Sequence, residues 1–193
     1  MDSFALELEL RRAIDAAQPE RRPVDNYSIN AATGRYEVEY VIDLVSNPTQ
    51  TFVVERGVTK NVNQFREPLD ACNHFFRELF GFPSFRNIFR ENGGRFVAGA
   101  GARGYKQAFK KVALLQKINP SHYKVDDDHP VIVDADALVL TESGNTWVVS
   151  KAKSPNIPHA QFTKCQEALE FIHWELVGEA GIGAAAEPLD NPQ

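Results

Sequence analysis

The stretch from Val131 to Ser154, VIVDADALVLTESGNTWVVSKAKS, constrains this chain more than any other. Apolar residues alternate with polar ones on both sides of Glu142-Ser143-Gly144-Asn145, a pattern that predicts two short strands joined by a tight turn. Successive side chains on a strand point to opposite faces. Ile132, Asp134, Asp136, Leu138 and Leu140 therefore share one face of the first strand, and Trp147, Val149, Lys151 and Lys153 share one face of the second. A two-residue turn at Ser143-Gly144 sets Asp136 opposite Lys151 and Asp134 opposite Lys153. A turn at Gly144-Asn145 sets Asp136 opposite Lys153. Either register gathers carboxylates and ammonium groups on one face, whereas a slip of one residue separates them.

Two readings follow from that grouping. Carboxylates are hard oxygen ligands for a divalent cation such as Mg²⁺. A metal so held activates water and neutralises phosphoryl charge, with a lysine to position the attacking water. Alternatively, opposite charges across an antiparallel pair only stabilise the sheet, and an exposed ladder of this kind needs no chemistry.

The pattern resembles the PD-(D/E)xK, or restriction-endonuclease-like, superfamily of nucleases. Asp134-Ala135-Asp136 matches its acid-x-Asp strand. Val148-Val149-Ser150-Lys151-Ala152-Lys153 matches the apolar strand ending in acid-x-Lys. The resemblance implies Asp136 and Asp134 as ligands of Mg²⁺ or Mn²⁺ and Lys153 as the catalytic lysine. Lys151 stands where the family carries Glu or Asp, so the resemblance implies a nuclease altered at that position. It also implies a restriction-endonuclease-like core, with an N-terminal helix and hairpin added to it. It spans about 45 residues, Val131 to Trp174.

Beyond this hairpin, Phe162, Cys165, Leu169, Ile172 and Leu176 recur at helical spacing, which predicts an amphipathic helix. Pro155 and Pro158 are expected to end the strand region before it, and Gly178 to end the helix. Glu167 falls opposite the apolar stripe and is expected to face solvent. Gln161 is expected in the first helical turn, and it resembles the glutamine that several branches of the superfamily place beside the active site. The plain alternative is a polar residue at a helix start.

The chain has 193 residues, 43% of them hydrophobic. That suits one globular domain over 1–177 with an irregular tail over 178–193. Cys72 and Cys165 are far apart and lack metal-ligand spacing, so they read as buried thiols. With no secretory signal and no apolar run of membrane-spanning length, the expectation is an intracellular, cytoplasmic or nuclear protein without a membrane partner. No internal repeat stands out. The sequence sets no oligomeric state. Neither HExxH nor Gly-x-Ser-x-Gly occurs, and Gly99-Ala100-Gly101-Ala102-Arg103-Gly104 is not followed by the Gly-Lys-Ser/Thr of a P-loop.

Net charge is −5, yet residues 77–117 carry nine basic and two acidic side chains, a local +7 that leaves −12 for the remainder. Phenylalanines, Tyr105 and glycines are interleaved with these cations. Cations attract phosphates and aromatic rings stack on bases. Nucleic acid is therefore the expected partner of this segment, through Arg95, Arg103, Lys106, Lys110 and Lys111. The alternatives are a solvated helix face or an anionic protein partner, in which case the chain is a non-catalytic binding or structural module.

The remaining pattern predicts a helix over Asp2–Ala17, a hairpin from Gly34–Val45 and Thr51–Glu55, and a helix over Asn63–Phe80. A short strand over Gly94–Ala100 and a helix over Gly104–Lys117 follow. The sum is an α/β or α+β fold, a mixed sheet flanked by helices.

Overall fold

The computed structural model describes residues 3–18, 24–82, 84–96 and 101–178. The fold is mixed α and β, and the chain divides into two compact units, one within 1–82 and one within 83–179.

In the first unit, helix α1 (Ser3–Ala17) precedes a short strand β1 (Tyr27–Ile29). Three further strands follow, β2 (Val38–Asp43), β3 (Thr49–Glu55) and β4 (Val58–Phe65), and then helix α2 (Pro68–Phe80). β1 runs parallel to β2, and β2, β3 and β4 form an antiparallel meander. The turn between β3 and β4 is Arg56-Gly57, with φ of 50° and 77°, the positive values that a two-residue hairpin turn demands. α2 lies on β2, β3 and β4, and α1 packs on α2. Leu6, Leu10 and Ile14 on α1 and Cys72, Phe75 and Phe76 on α2 are buried. β4 replaces the first turn of the helix expected from Asn63. The helix start is set by Pro68 in its first turn, where a proline costs no hydrogen bond.

The second unit opens with α3 (Phe85–Glu91) and α4 (Gly101–Leu115). After a 3-10 turn at Pro120–His122 come β5 (Tyr123–Lys124), β6 (Leu138–Ser143), β7 (Thr146–Lys151) and β8 (Ser154–Phe162), then α5 (Cys165–Val177). β5 runs parallel to β6, and β6, β7 and β8 form a meander. α5 lies on this meander, and α4 and α3 pack on α5.

Several local expectations need correction here. β6 begins only at Leu138, so Asp134 and Asp136 precede the strand, and Ala135-Asp136 is a turn. The segment is held there by Asp134 N–H bonding to Ser121 O at 2.8 Å and by Ala137 N–H returning to Asp134 O at 3.1 Å. Pro155 and Pro158 lie inside β8 rather than ending the strand region. β8 tolerates them because its pairing with β7 shifts register at Val149/Ser150 and Ser150/Lys151, and bulges are where a strand accepts a residue without an N–H. Gln161 is consequently a strand residue opposite Val148, not part of a helical turn. The strand expected over Gly94–Ala100 does not form at 94–96, and 97–100 lie outside the described residues. So does the tail beyond Gly178.

The two units share one topology: a 15-residue helix, a short strand, a three-strand meander whose first strand runs parallel to it, and a 13-residue helix on the sheet. Residues 56–81 and 153–178 correspond without a gap. Six positions are identical: Gln64 and Gln161, Phe65 and Phe162, Ala71 and Ala168, Glu78 and Glu175, Leu79 and Leu176, Gly81 and Gly178. Phe65, Phe162, Ala71 and Ala168 are each 0% exposed. Gly81 and Gly178 both end their helices in the left-handed conformation, at φ of 61° and 63°, which favours glycine. The chain thus contains an internal repeat at structural level, contrary to the sequence expectation. A period this long with so few identities does not register as a sequence pattern.

Candidate functional site

The hairpin of β6 and β7 turns at Gly144-Asn145, with Leu138 opposite Lys151 and Ser143 opposite Thr146. The register continues past the strands to Ala152 and then shifts by one residue at Lys153. Ala152 N–H bonds to Ala137 O at 2.9 Å, and Lys153 N–H bonds to Ala135 O at 2.8 Å. The hairpin turn is the one of the two expected that sets Asp136 near Lys153, and the Lys153 ammonium pairs with Asp136 Oδ1. The hydrogen bond and charge of Lys153 hold the Asp136 carboxyl below its ordinary range, and Lys151 adds to this.

Asp134 does not join them. Its Oδ2 accepts from Ser121 Oγ at 2.6 Å and lies 3.6 Å from His122 Nε2. Gln161, half-buried in β8, and the turn carrying Lys153 belong to one hairpin, but Gln161 sits at the far end of it, beside Val148. The donor set offered to a cation is thus one carboxylate tied to an ammonium group and another tied to a serine, with Lys151 beside the first. These residues do not fit Mg²⁺ or Mn²⁺, which require several unshared oxygen ligands.

The first unit supplies a comparison. Glu37 stands just before β2, and Arg56 stands in the β3–β4 turn, at the position matching Lys153. Arg56 N–H bonds to Glu37 O at 2.9 Å, and Arg56 Nη2 pairs with Glu37 Oε1 at 2.6 Å. An acid entering the meander, closed onto a base in the second turn, is thus a recurring feature of this repeat. The partners are exposed in both copies: 67% and 76% for Glu37 and Arg56, 68% and 53% for Asp136 and Lys153.

Glu167 is buried, contrary to expectation. From Glu167 to Trp174 every residue of α5 is buried, because the meander covers one side and α3 and α4 the other. Glu167 Oε1 accepts from Lys164 Nζ at 3.1 Å. Glu170, one turn on, is buried beside Gln166, which donates to it at 3.1 Å, and near Ser84 and Arg86. Burial pushes its carboxyl up to about 7.

The basic segment resolves into cations with different engagements. Arg77 is buried on α2. Lys110 Nζ pairs with Asp126 Oδ2 at 2.7 Å. Lys106 Nζ sits 4.9 Å from the Trp147 ring centroid. Arg95, Arg103 and Lys111 are exposed. Sequence reasoning missed Arg86 and Arg90, which lie one turn apart on α3. The Arg86 guanidinium is 5.8 Å from the Phe96 ring and 5.9 Å from that of Tyr105, and Arg90 is 5.8 Å from Phe96. Phe89, Phe96 and Tyr105 form one ring cluster, with centroids 5.0 and 5.2 Å apart. The i, i+4 spacing of the arginines, in step with Phe85 and Phe89, was the available signal.

These features define an α+β protein of two like units, one of which carries a cationic, aromatic face. No protein-family model, curated protein or solved structure matches the chain. Among the described residues no helix is long and apolar enough to cross a membrane.

Proposed function

We propose that the chain is a nucleic-acid-binding module that holds phosphates without cleaving them. The observation that carries this reading is the face of α3 and α4, where Arg86, Arg90 and Lys111 lie over one aromatic cluster, with Arg95 and Arg103 exposed in the same segment. Residues 84–117 include a single acid, Glu91. Clustered cations release counterions from a polyanion and bind it strongly at low salt. The free buried thiols of Cys72 and Cys165 support an intracellular setting.

Cleavage by a restriction-endonuclease-like site is the second reading. It has the Asp136–Lys153 pairing in its favour. Against it stand Lys151, the separate engagement of Asp134, and the Glu37–Arg56 pair that repeats the arrangement.

One assay separates the two. Labelled RNA and DNA strands should be retarded by the wild-type chain at low salt and stay intact with Mn²⁺ present. Introducing the acid in Lys151→Glu should leave them intact as well. Mn²⁺-dependent cleavage by that variant, abolished in Asp136→Ala, would establish the nuclease reading instead.

A further inference from the structure

Resting on that reading, we infer that the α3–α4 face grips the sugar-phosphate backbone through cations seated on its own rings, and does not stack bases. Its ligand is then a nucleic-acid backbone of any base sequence.

Base stacking needs a ring with an open face. The rings here are already taken. Phe96 has two guanidiniums over it, from Arg86 and Arg90, and its neighbours Phe89 and Tyr105 meet it at interplanar angles of 55° and 45°. Tyr105 shares the Arg86 guanidinium. Phe89 has Lys111 Nζ at 5.8 Å. Phe89 also abuts Gly94 so closely that a Cβ there would lie 2.6 Å from ring atoms. All three rings are half-buried.

A guanidinium lying on a ring keeps its N–H fork available for an anion. The ring restricts its rotamers, so less entropy is lost when a phosphate is bound. Arg86 and Arg90, at i and i+4, project from one side of α3. Arg86 also lies near enough to Glu170 on α5 for its positive charge to act on that carboxyl. The rings thus serve as seats for cations, with Arg90 exposed to a ligand and Arg86 half-buried.

The test uses the full chain and fluorescence anisotropy. The probes are a labelled oligothymidylate and an abasic strand with the same number of phosphates, each about 20 nucleotides long. The inference predicts affinities within about threefold of each other and competition by inorganic polyphosphate. Phe96→Leu keeps an apolar side chain but removes the seat, and should weaken both probes equally, by about threefold to tenfold. An abasic strand that binds more than about tenfold worse overturns the inference while leaving nucleic-acid binding intact. If neither strand binds, or only anionic vesicles do, both the inference and the reading beneath it fall.

Discussion

Glu39 illustrates how one buried carboxylate organises its surroundings. It is 0% exposed. It accepts from Ser28 Oγ, from Thr33 Oγ1 at 2.7 Å, and from the backbone N–H groups of Thr33 and Gly34 at 3.0 Å each. Burial alone would raise its pKa. The hydrogen bonds outweigh burial and hold it at about 2. A depressed carboxyl stabilises the fold above the unfolded value, 4.5, and that contribution is lost as pH falls from there through about 2. Glu39→Ala should cost about 2 kcal/mol at neutral pH and progressively less in acid, as read by urea unfolding at several pH values. Glu170 has the opposite sign. Its pKa is raised from 4.5 to about 7, so the folded state favours the neutral form. No penalty exists well below 4.5, and the full penalty applies above about 7. Glu170→Gln should therefore raise the thermal midpoint at pH about 8 and change it little at pH about 4. An equal shift at both pH values would contradict this assignment.

At the scale of elements, the helices on the sheets were the most legible part of the sequence. The 3.6-residue stripe through Leu169 and Ile172 survives in α5, and α1 and α4 begin and end within a few residues of their expected limits. The strands were less legible. β4 lay hidden in Asn61-Val62-Asn63, which shows no strand composition, and β8 was discounted for its prolines. Both are fixed by pairing to a neighbouring strand, which a local reading does not contain. The Asp-bearing segment failed for the same reason. Its alternation fits a strand, but Ser121 and Asn119 hold it as a loop, with Ser121 N–H on Asn119 Oδ1 at 3.0 Å. Glu167 was misplaced because one apolar stripe implies one buried face, whereas α5 is covered on two sides. The repeat makes a paired prediction about elements. Gly81→Ala and Gly178→Ala should each cost about 1 kcal/mol, since both ask alanine to adopt the left-handed conformation. Denaturant midpoints check this, and a large disparity between the two would argue against equivalent helix ends. In the second unit, Gly94→Ala must displace the Phe89 ring. It should lower strand affinity with little change in the rest of the fold, which binding assays and far-ultraviolet circular dichroism can read together.

For the whole molecule, charge is distributed more tellingly than its net value of −5 indicates. The proposed binding face falls in the +7 segment, while the remainder of the chain is acidic. The basic cluster itself was legible in the sequence. Its membership was only partly so: Arg95, Arg103 and Lys111 are exposed as expected, Lys106 and Lys110 are engaged with Trp147 and Asp126, and Arg86 and Arg90 emerge from the packing of α3 beside α4. The β6–β7 hairpin and the Asp136–Lys153 pair beside it were also legible. The pair's recurrence as Glu37 facing Arg56 was not, because the residue types differ and only the shared topology aligns them.

The most direct measurement is the salt dependence of strand binding by the wild-type chain and by Arg86→Ala/Arg90→Ala. Wild-type affinity should fall steeply between about 50 and 200 mM salt. The double variant should bind about tenfold or more weakly at low salt, with a shallower slope by about two counterions. Equal affinity and equal slope for the two proteins would contradict a phosphate-gripping face on α3 and α4.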